Sequence, residues 1–265
     1  MSEVTDFYSS WLGCGAFGAV SRRVAVEEPI VFSPTDLSAC SIWLDATDNL
    51  TITSDSSNNL ISWTNKGLFG GSANANSGSI ITNTDVINGF NVLNFQPYGS
   101  LLFNWTQSVN PITCFVVTKP ITDLSNALLP YNNFFDALST IYNFGVSMFY
   151  DTSENKFAYG CGANNLAIYV AGYGSTNPTN IPLLISIRND TTSNNKLMLN
   201  NQELTLVFND TASYNLSNFN YYMGSTVHGT EFDFAEFIIY DRALSDAEID
   251  QVNAYLTAKY DIEAL

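Results

Sequence analysis

From about residue 41 onward, short apolar runs recur at intervals of about ten residues, each bounded by Asn, Ser, Gly or Asp. That spacing predicts the strands of a sandwich. The runs fall at 41–45, 51–53, 60–64, 79–82, 91–95, 100–103, 112–118, 141–150, 156–160, 166–171, 183–188 and 221–225. Ile112-Thr113-Cys114-Phe115-Val116-Val117-Thr118 is the most hydrophobic of these and predicts a central strand. Residues 67–72, rich in glycine, read as a flexible turn, and 123–133 as a loop with a short helix. Lys196 to Phe208 predicts a tight hairpin turning at Asn200-Asn201-Gln202, because Asn tolerates the positive φ such turns require.

The pattern is clearest from Glu231 to Ile262. A period of two sends Phe232, Phe234, Glu236, Ile238 and Tyr240 to one side of a strand. Glu231, Asp233, Ala235, Phe237 and Ile239 go to the other. After the turn Asp241-Arg242-Ala243-Leu244, Ser245-Asp246-Ala247-Glu248 is a capping box. Ile249, Val252, Leu256 and Tyr260 then fall on one helical face, with Asp250, Gln251 and Lys259 expected to point away. A helix with one apolar stripe needs a sheet to lie on.

Residues 1–33 break the pattern. Phe7, Tyr8, Trp11, Leu12 and Phe17 sit among glycines with no regular period. A segment of this kind cannot bury its aromatics on itself. It reads as an N-terminal arm, packed on its own domain or anchoring the chain to another subunit, with the folded domain at 34–265. Arg22 and Arg23 follow the apolar patch 11–20, the reverse of a secretory signal. No apolar run reaches the ~18 residues of a spanning helix.

Composition narrows the partners. Hydrophobic residues make up 46% and charged residues 13% of the 265 positions, against about 25% charged in a typical domain. Asn, Ser and Thr supply the polarity instead. A formal charge of -16 argues against nucleic acid and against anionic membranes. The four cysteines, Cys14, Cys40, Cys114 and Cys161, form no CxxC pair and read as buried thiols, with disulfides left open.

The run Phe234-Ala235-Glu236-Phe237-Ile238-Ile239-Tyr240-Asp241-Arg242-Ala243-Leu244-Ser245-Asp246-Ala247-Glu248-Ile249 resembles the C-terminal end of laminin-G-like, concanavalin A-like jelly-roll domains. Trp43-Leu44-Asp45-Ala46, Ser62-Trp63-Thr64-Asn65-Lys66 and Ile87 to Phe95 resemble that superfamily's early strands. The resemblance implies an all-β, two-sheet antiparallel sandwich with a C-terminal helix, spanning Leu37 to Leu265. It is specific for fold and not for function. Such domains include phage and large-virus appendage proteins. The leading expectation is therefore a non-enzymatic virion structural or adhesion protein, oligomeric in an assembly and attached through its arm to other subunits. A carbohydrate-binding lectin at the cell surface or outside the cell is the alternative.

Four constellations carry possible chemistry. Glu231-Phe232-Asp233-Phe234-Ala235-Glu236 has the form E-x-D-x-x-E of concanavalin A-like glycoside hydrolases. Retaining hydrolysis needs two carboxyls about 5 Å apart; a regular strand puts Glu236 on the wrong face, and only a β-bulge would bring it round. Exposed Trp105, Tyr173 and Tyr98 are the candidates for stacking on a glycan, with Tyr131 and Trp63 behind them and Trp63 expected in the core. Asp45, Asp48, Asp55, Asp190 and Asp210 lie where loops are expected, which leaves calcium possible, but no dense D-x-D-x-D run assigns ligands. His228 is the sole histidine, which leaves little material for a Ser-His-Asp relay or a zinc site.

Overall fold

A computed structural model describes residues 32–104, 111–123, 131–138, 143–151, 156–163, 168–190, 194–206, 220–224 and 230–265. The early strands are β1 (Cys40–Asp45), β2 (Ile52–Ser54), β3 (Leu60–Thr64), β4 (Ser72–Ser77), β5 (Ile80–Ile87), β6 (Phe90–Phe95) and β7 (Ser100–Asn104). The middle of the chain gives β8 (Ile112–Pro120), β9 (Tyr131–Leu138), β10 (Asn143–Asp151), β11 (Lys156–Ala163) and β12 (Ile168–Gly174). The remainder comprises β13 (Leu183–Asn189), β14 (Lys196–Leu199), β15 (Gln202–Glu203), β16 (Asn220–Gly224), β17 (Phe232–Tyr240) and the helix α1 (Asp246–Tyr260).

These strands form two antiparallel sheets, the sandwich that the ten-residue spacing predicts. One runs β15-β14-β13-β8-β17-β6-β5, and the other β12-β11-β10-β9-β16-β7-β4-β3-β2. The apolar run at 112–118 is central as expected, flanked by β13 and β17. One edge of β17 serves two partners: its first residues, from Phe232 to Phe234, pair with β6, and from Glu236 onward it pairs with β1.

Two strands appear where none was expected. β4 is Ser-Ala-Asn-Ala-Asn-Ser, with Ala73 its one buried residue, so it offers no apolar alternation to read. It is held instead by ladders to β3 and β7. β9 begins at Tyr131, inside the expected loop. Residues 67–72 are not a free turn either. The Leu68 and Phe69 amides donate to the Cys40 and Ser41 carbonyls. A Cβ at Gly67 would meet the Ser41 carbonyl oxygen at 2.5 Å, so only glycine lets the loop lie against β1. The β14–β15 hairpin turns as predicted, with φ of 45° at Asn200 and 66° at Asn201.

Between the sheets lies one core, built around Trp63, Phe95, Phe232, Phe234, Phe237 and Ile239. A second core lies on the outer face of the first sheet, where Phe115, Val117, Ile238 and Tyr240 meet Ile249, Val252, Leu256 and Tyr260 of α1. The capping box forms as read: the Glu248 amide donates to Ser245 Oγ, and the Ser245 amide donates to Glu248 Oε2. Cys40 and Cys114 are both buried. Phe32 sets its ring edge-on against Tyr255, and the Tyr240 hydroxyl donates to the Pro34 carbonyl. The rest of the arm, with Cys14, lies outside the described residues, as do His228 and Asp210.

Candidate functional site

The expected alternation of β17 fails at one place. Against β8, Asp233 pairs with Lys119 and Phe234 with Thr118, but Glu236 pairs with Val117, leaving Ala235 as the extra residue of a β-bulge. Phe232 and Phe234 before the bulge, and Phe237 and Ile239 after it, all face the core between the sheets. Glu236 is thereby rotated to the outer face, with Ala235, Ile238 and Tyr240. Asp233 meets the outward-facing Asn94 and Lys119 on that same side. The reading that put Asp233 and Glu236 on opposite sides of the strand is corrected: the bulge unites them on one face.

They do not share one site. Glu231 and Asp233 are joined through Asn94, whose Nδ2 donates to Glu231 Oε1 at 3.1 Å and to Asp233 Oδ1 at 2.9 Å. Gln96 Nε2 also donates to Glu231 Oε1, and Lys119 Nζ lies 3.2 Å from Asp233 Oδ2. Glu236 belongs to another cluster, beneath α1. Its Oε1 accepts from Trp43 Nε1 at 2.7 Å and from the Tyr255 hydroxyl at 3.2 Å. Its Oε2 accepts from Lys259 Nζ and from the Tyr260 hydroxyl, both at 2.8 Å. With its side chain fully buried, Glu236 has no face left for a substrate.

Lys259 is the second correction. It was expected on the exposed side of the helix, yet its side chain is only 14% exposed and its ammonium lies 3.0 Å from Asp45 Oδ1 as well as 2.8 Å from Glu236. The cause is cross-strand register. Asp45 of β1 sits directly opposite Glu236 of β17, so two carboxylates share one spot on the sheet. Like charges in that position repel, and Lys259 reaches back over Tyr255 and Tyr260 to lie between them. Lys66 completes the cluster, bridging Asp45 and Asp48 with its ammonium over the Trp43 ring. Burial holds the Glu236 carboxyl above the usual carboxylate range, partly offset by Lys259 and the Tyr260 hydroxyl. Burial also acts to raise Asp45, but Lys259, Thr47 and Lys66 together hold it below its ordinary value.

Asp45 and Asp48 are thus committed to lysines. Asp55 closes a turn by accepting from the amides of Ser57 and Asn59. Among the described residues, no three His, Cys, Asp or Glu side chains converge as a metal site would require.

Of the aromatic candidates, Tyr98 is 53% exposed on the turn between β6 and β7, with φ of 66°. Trp63 is buried against Phe234, as expected. Tyr173 and Tyr131 have their backbones on β12 and β9, but their side chains lie outside the described residues, as does the whole of Trp105. The described geometry therefore brings no two of them together. Sequence reasoning missed Trp43, Lys66, Asn94 and Lys119; one available signal was the Tyr255…Lys259 pair at i, i+4.

No protein-family profile and no curated protein matches the chain. Solved structures do. The receptor-binding domain of a botulinum neurotoxin C/D mosaic serotype superposes with a TM-score of 0.58 at 11% identity, over 82% of this chain and 51% of that one. The type G receptor-binding domain gives 0.56 at 14%, over 83% and 52%. A botulinum neurotoxin type C structure, reported with cell entry that depends on interaction with two ganglioside molecules, gives 0.57 at 12%, over 84% and 53%. At such identities the likeness establishes the two-sheet fold alone, and this chain spans about half the length of each structure.

Proposed function

We propose that the chain is a non-enzymatic adhesion module that recognises carbohydrate on a cell surface. The observation carrying this reading is the shared sandwich: over more than four-fifths of its length the chain takes the fold seen in botulinum neurotoxin receptor-binding domains and in a type C neurotoxin structure whose report ties cell entry to interaction with two ganglioside molecules. The acid motif supports it from the other side. A retaining hydrolase needs two accessible carboxyls about 5 Å apart, whereas Glu236 is enclosed by four donors beneath a helix and Glu231 is tied to Asn94 and Gln96.

The finer placement, on a virion with the arm 1–33 attaching the sandwich to other subunits, rests on the laminin-G-like resemblance of the C-terminal run and on the arm's unpatterned aromatics. Binding of the full chain to a glycan array and to ganglioside-bearing vesicles tests the adhesion reading. Expected is retention on a subset of glycans, weakened at least about tenfold, roughly 1.4 kcal/mol, by Tyr98→Ala or Trp105→Ala. Absence of binding to any glycan, or release of reducing sugar that Glu231→Gln abolishes, would sink it.

A further inference from the structure

The cluster under α1 holds three groups that amide chemistry needs. Lys259 supplies an amine, Asp45 an acyl carbon, and Glu236 a carboxylate that can hold a proton. The Lys259 ammonium is 3.0 Å from Asp45 Oδ1, so the carbon that bears this oxygen lies one bond further on, and it is 2.8 Å from Glu236 Oε2. Amine and carboxyl are thereby already in contact, and holding reacting groups together is what lowers the entropic part of a barrier. The Asp45 and Glu236 side chains are 5% and 0% exposed, and Trp43, Tyr255 and Tyr260 wall the cluster. Asp45 Oδ1 also accepts from the Thr47 amide at 3.0 Å and the Thr47 hydroxyl at 2.7 Å, while Lys66 stands 3.3 Å from Oδ2. Donors so placed stabilise negative charge developing on an attacked carboxyl.

We propose that Lys259 Nζ and Asp45 Cγ form an intramolecular amide, with Glu236 as the proton carrier. The Lys259 ammonium passes one proton to Glu236, and the neutral amine adds to Cγ. Thr47 and Lys66 hold the charge that builds on the oxygens. One carboxyl oxygen then leaves with two protons, one returned from Glu236 and one from the attacking nitrogen. An ammonium and a carboxylate become an amide and one water, and Glu236 ends as it began. Nothing is oxidised or reduced and no co-reactant is consumed. The bond ties the first strand to the last turn of the terminal helix, across 214 positions of sequence.

Intact mass spectrometry of the full, denatured chain tests this directly. Expected is a mass one water below that of the sequence, with fragmentation of a protease digest yielding a branched peptide that joins Asp45 to Lys259. Glu236→Gln and Lys259→Arg, which keep the size of the side chain and respectively its acceptor or its charge, are each expected to show no loss of water. The wild-type reading needs no variant to fold. A wild-type mass equal to that of the sequence after prolonged incubation overturns the proposal. So does a water loss mapped to a succinimide or to an Asp45–Lys66 amide.

Discussion

Trp63 is fully buried between the sheets, edge-on to Phe234 with centroids 6.2 Å apart, and its Nε1 finds no acceptor among the described residues. A buried donor without a partner costs about 1–3 kcal/mol, and the large ring offsets that cost by filling volume. The two effects separate on substitution. Trp63→Ala is expected to lose about 3–5 kcal/mol in urea unfolding, as other large core truncations do. Trp63→Phe removes the stranded N–H along with part of the ring and should cost less than about 1.5 kcal/mol, near the range of modest core swaps. A Trp63→Phe loss of about 3 kcal/mol or more, the range of a full truncation, would show that removing the indole N–H brings no relief. Residue by residue, what was legible in the sequence was the burial of the strongly apolar runs, such as 112–118 and 183–188. Trp63 reads as core because Ile61 and a turn flank it. Lys259 did not read correctly, because the carboxylates that draw it inward come from β1 and β17, and no local period encodes that.

Elements are held by their ends and by their register. At the start of α1, Arg242 grips Glu248 with bonds of 2.9 and 2.6 Å while Glu248 closes the capping box. The Arg242 hydrogen bonds pull the Glu248 carboxyl down to about 2 from 4.5. Depressed in the folded state, this group contributes stability that is complete above pH about 4.5 and is lost as pH falls through about 2. Arg242→Ala should therefore flatten that part of the acid unfolding curve. Because the pair is partly exposed, the loss at neutral pH should stay within about 1 kcal/mol. Register matters more. Deleting Ala235 removes the extra residue and leaves Phe232, Phe234, Phe237 and Ile239 in strict alternation, each opposite the β8 residue it already faces. The inner core is kept, and the Ala235 carbonyl that accepts from the Ala46 amide is lost, so the deletion variant should keep a cooperative unfolding transition by circular dichroism, within about 2 kcal/mol of wild type, a typical single-mutation effect. Loss of the cooperative transition would mean that the sheet cannot form without its bulge. The strand from Phe232 to Tyr240 was legible; its faces beyond Ala235 were not, because a strict period of two sets Phe237 and Ile239 on the side of Asp233, whereas the bulge returns them to the side of Phe234. β4 was hidden for a related reason. Its six small polar residues are strand because β3 and β7 pair with it, and the sequence carries no period of its own there.

At the scale of the whole molecule, the first sheet is buried on both faces along β8 and β17, by the second sheet on one side and α1 on the other. This explains the unbroken hydrophobic run Phe237-Ile238-Ile239, whose consecutive residues serve the two cores in turn. It also makes the helix part of the fold and not an appendix to it. Ile249, Val252, Leu256, Tyr260 and Ile262 are buried against Phe115, Val117, Ile238 and Tyr240. At about 1.5–3 kcal/mol for each buried side chain, their removal forfeits roughly 10 kcal/mol. That figure is an upper bound, because an unfolded chain already hides some of its surface. It still rivals the ~5–15 kcal/mol by which most domains are stable. Glu236 would lose partners as well. Without Lys259, Tyr255 and Tyr260 it would stand opposite Asp45 with Trp43 as its one remaining donor from this cluster. Like charges directly opposite on a sheet are destabilising once the cation between them is gone. A chain ended at Ser245 should therefore be recovered as aggregate, or as a species that binds hydrophobic dye and gives no sharp melting transition. Restoring residues 246–265 as a separate peptide should rescue a fraction of the folded form. If the shortened chain is instead monomeric in gel filtration and melts cooperatively, the sandwich stands on its inner core alone, and the ionic cluster under the helix is dispensable to the fold.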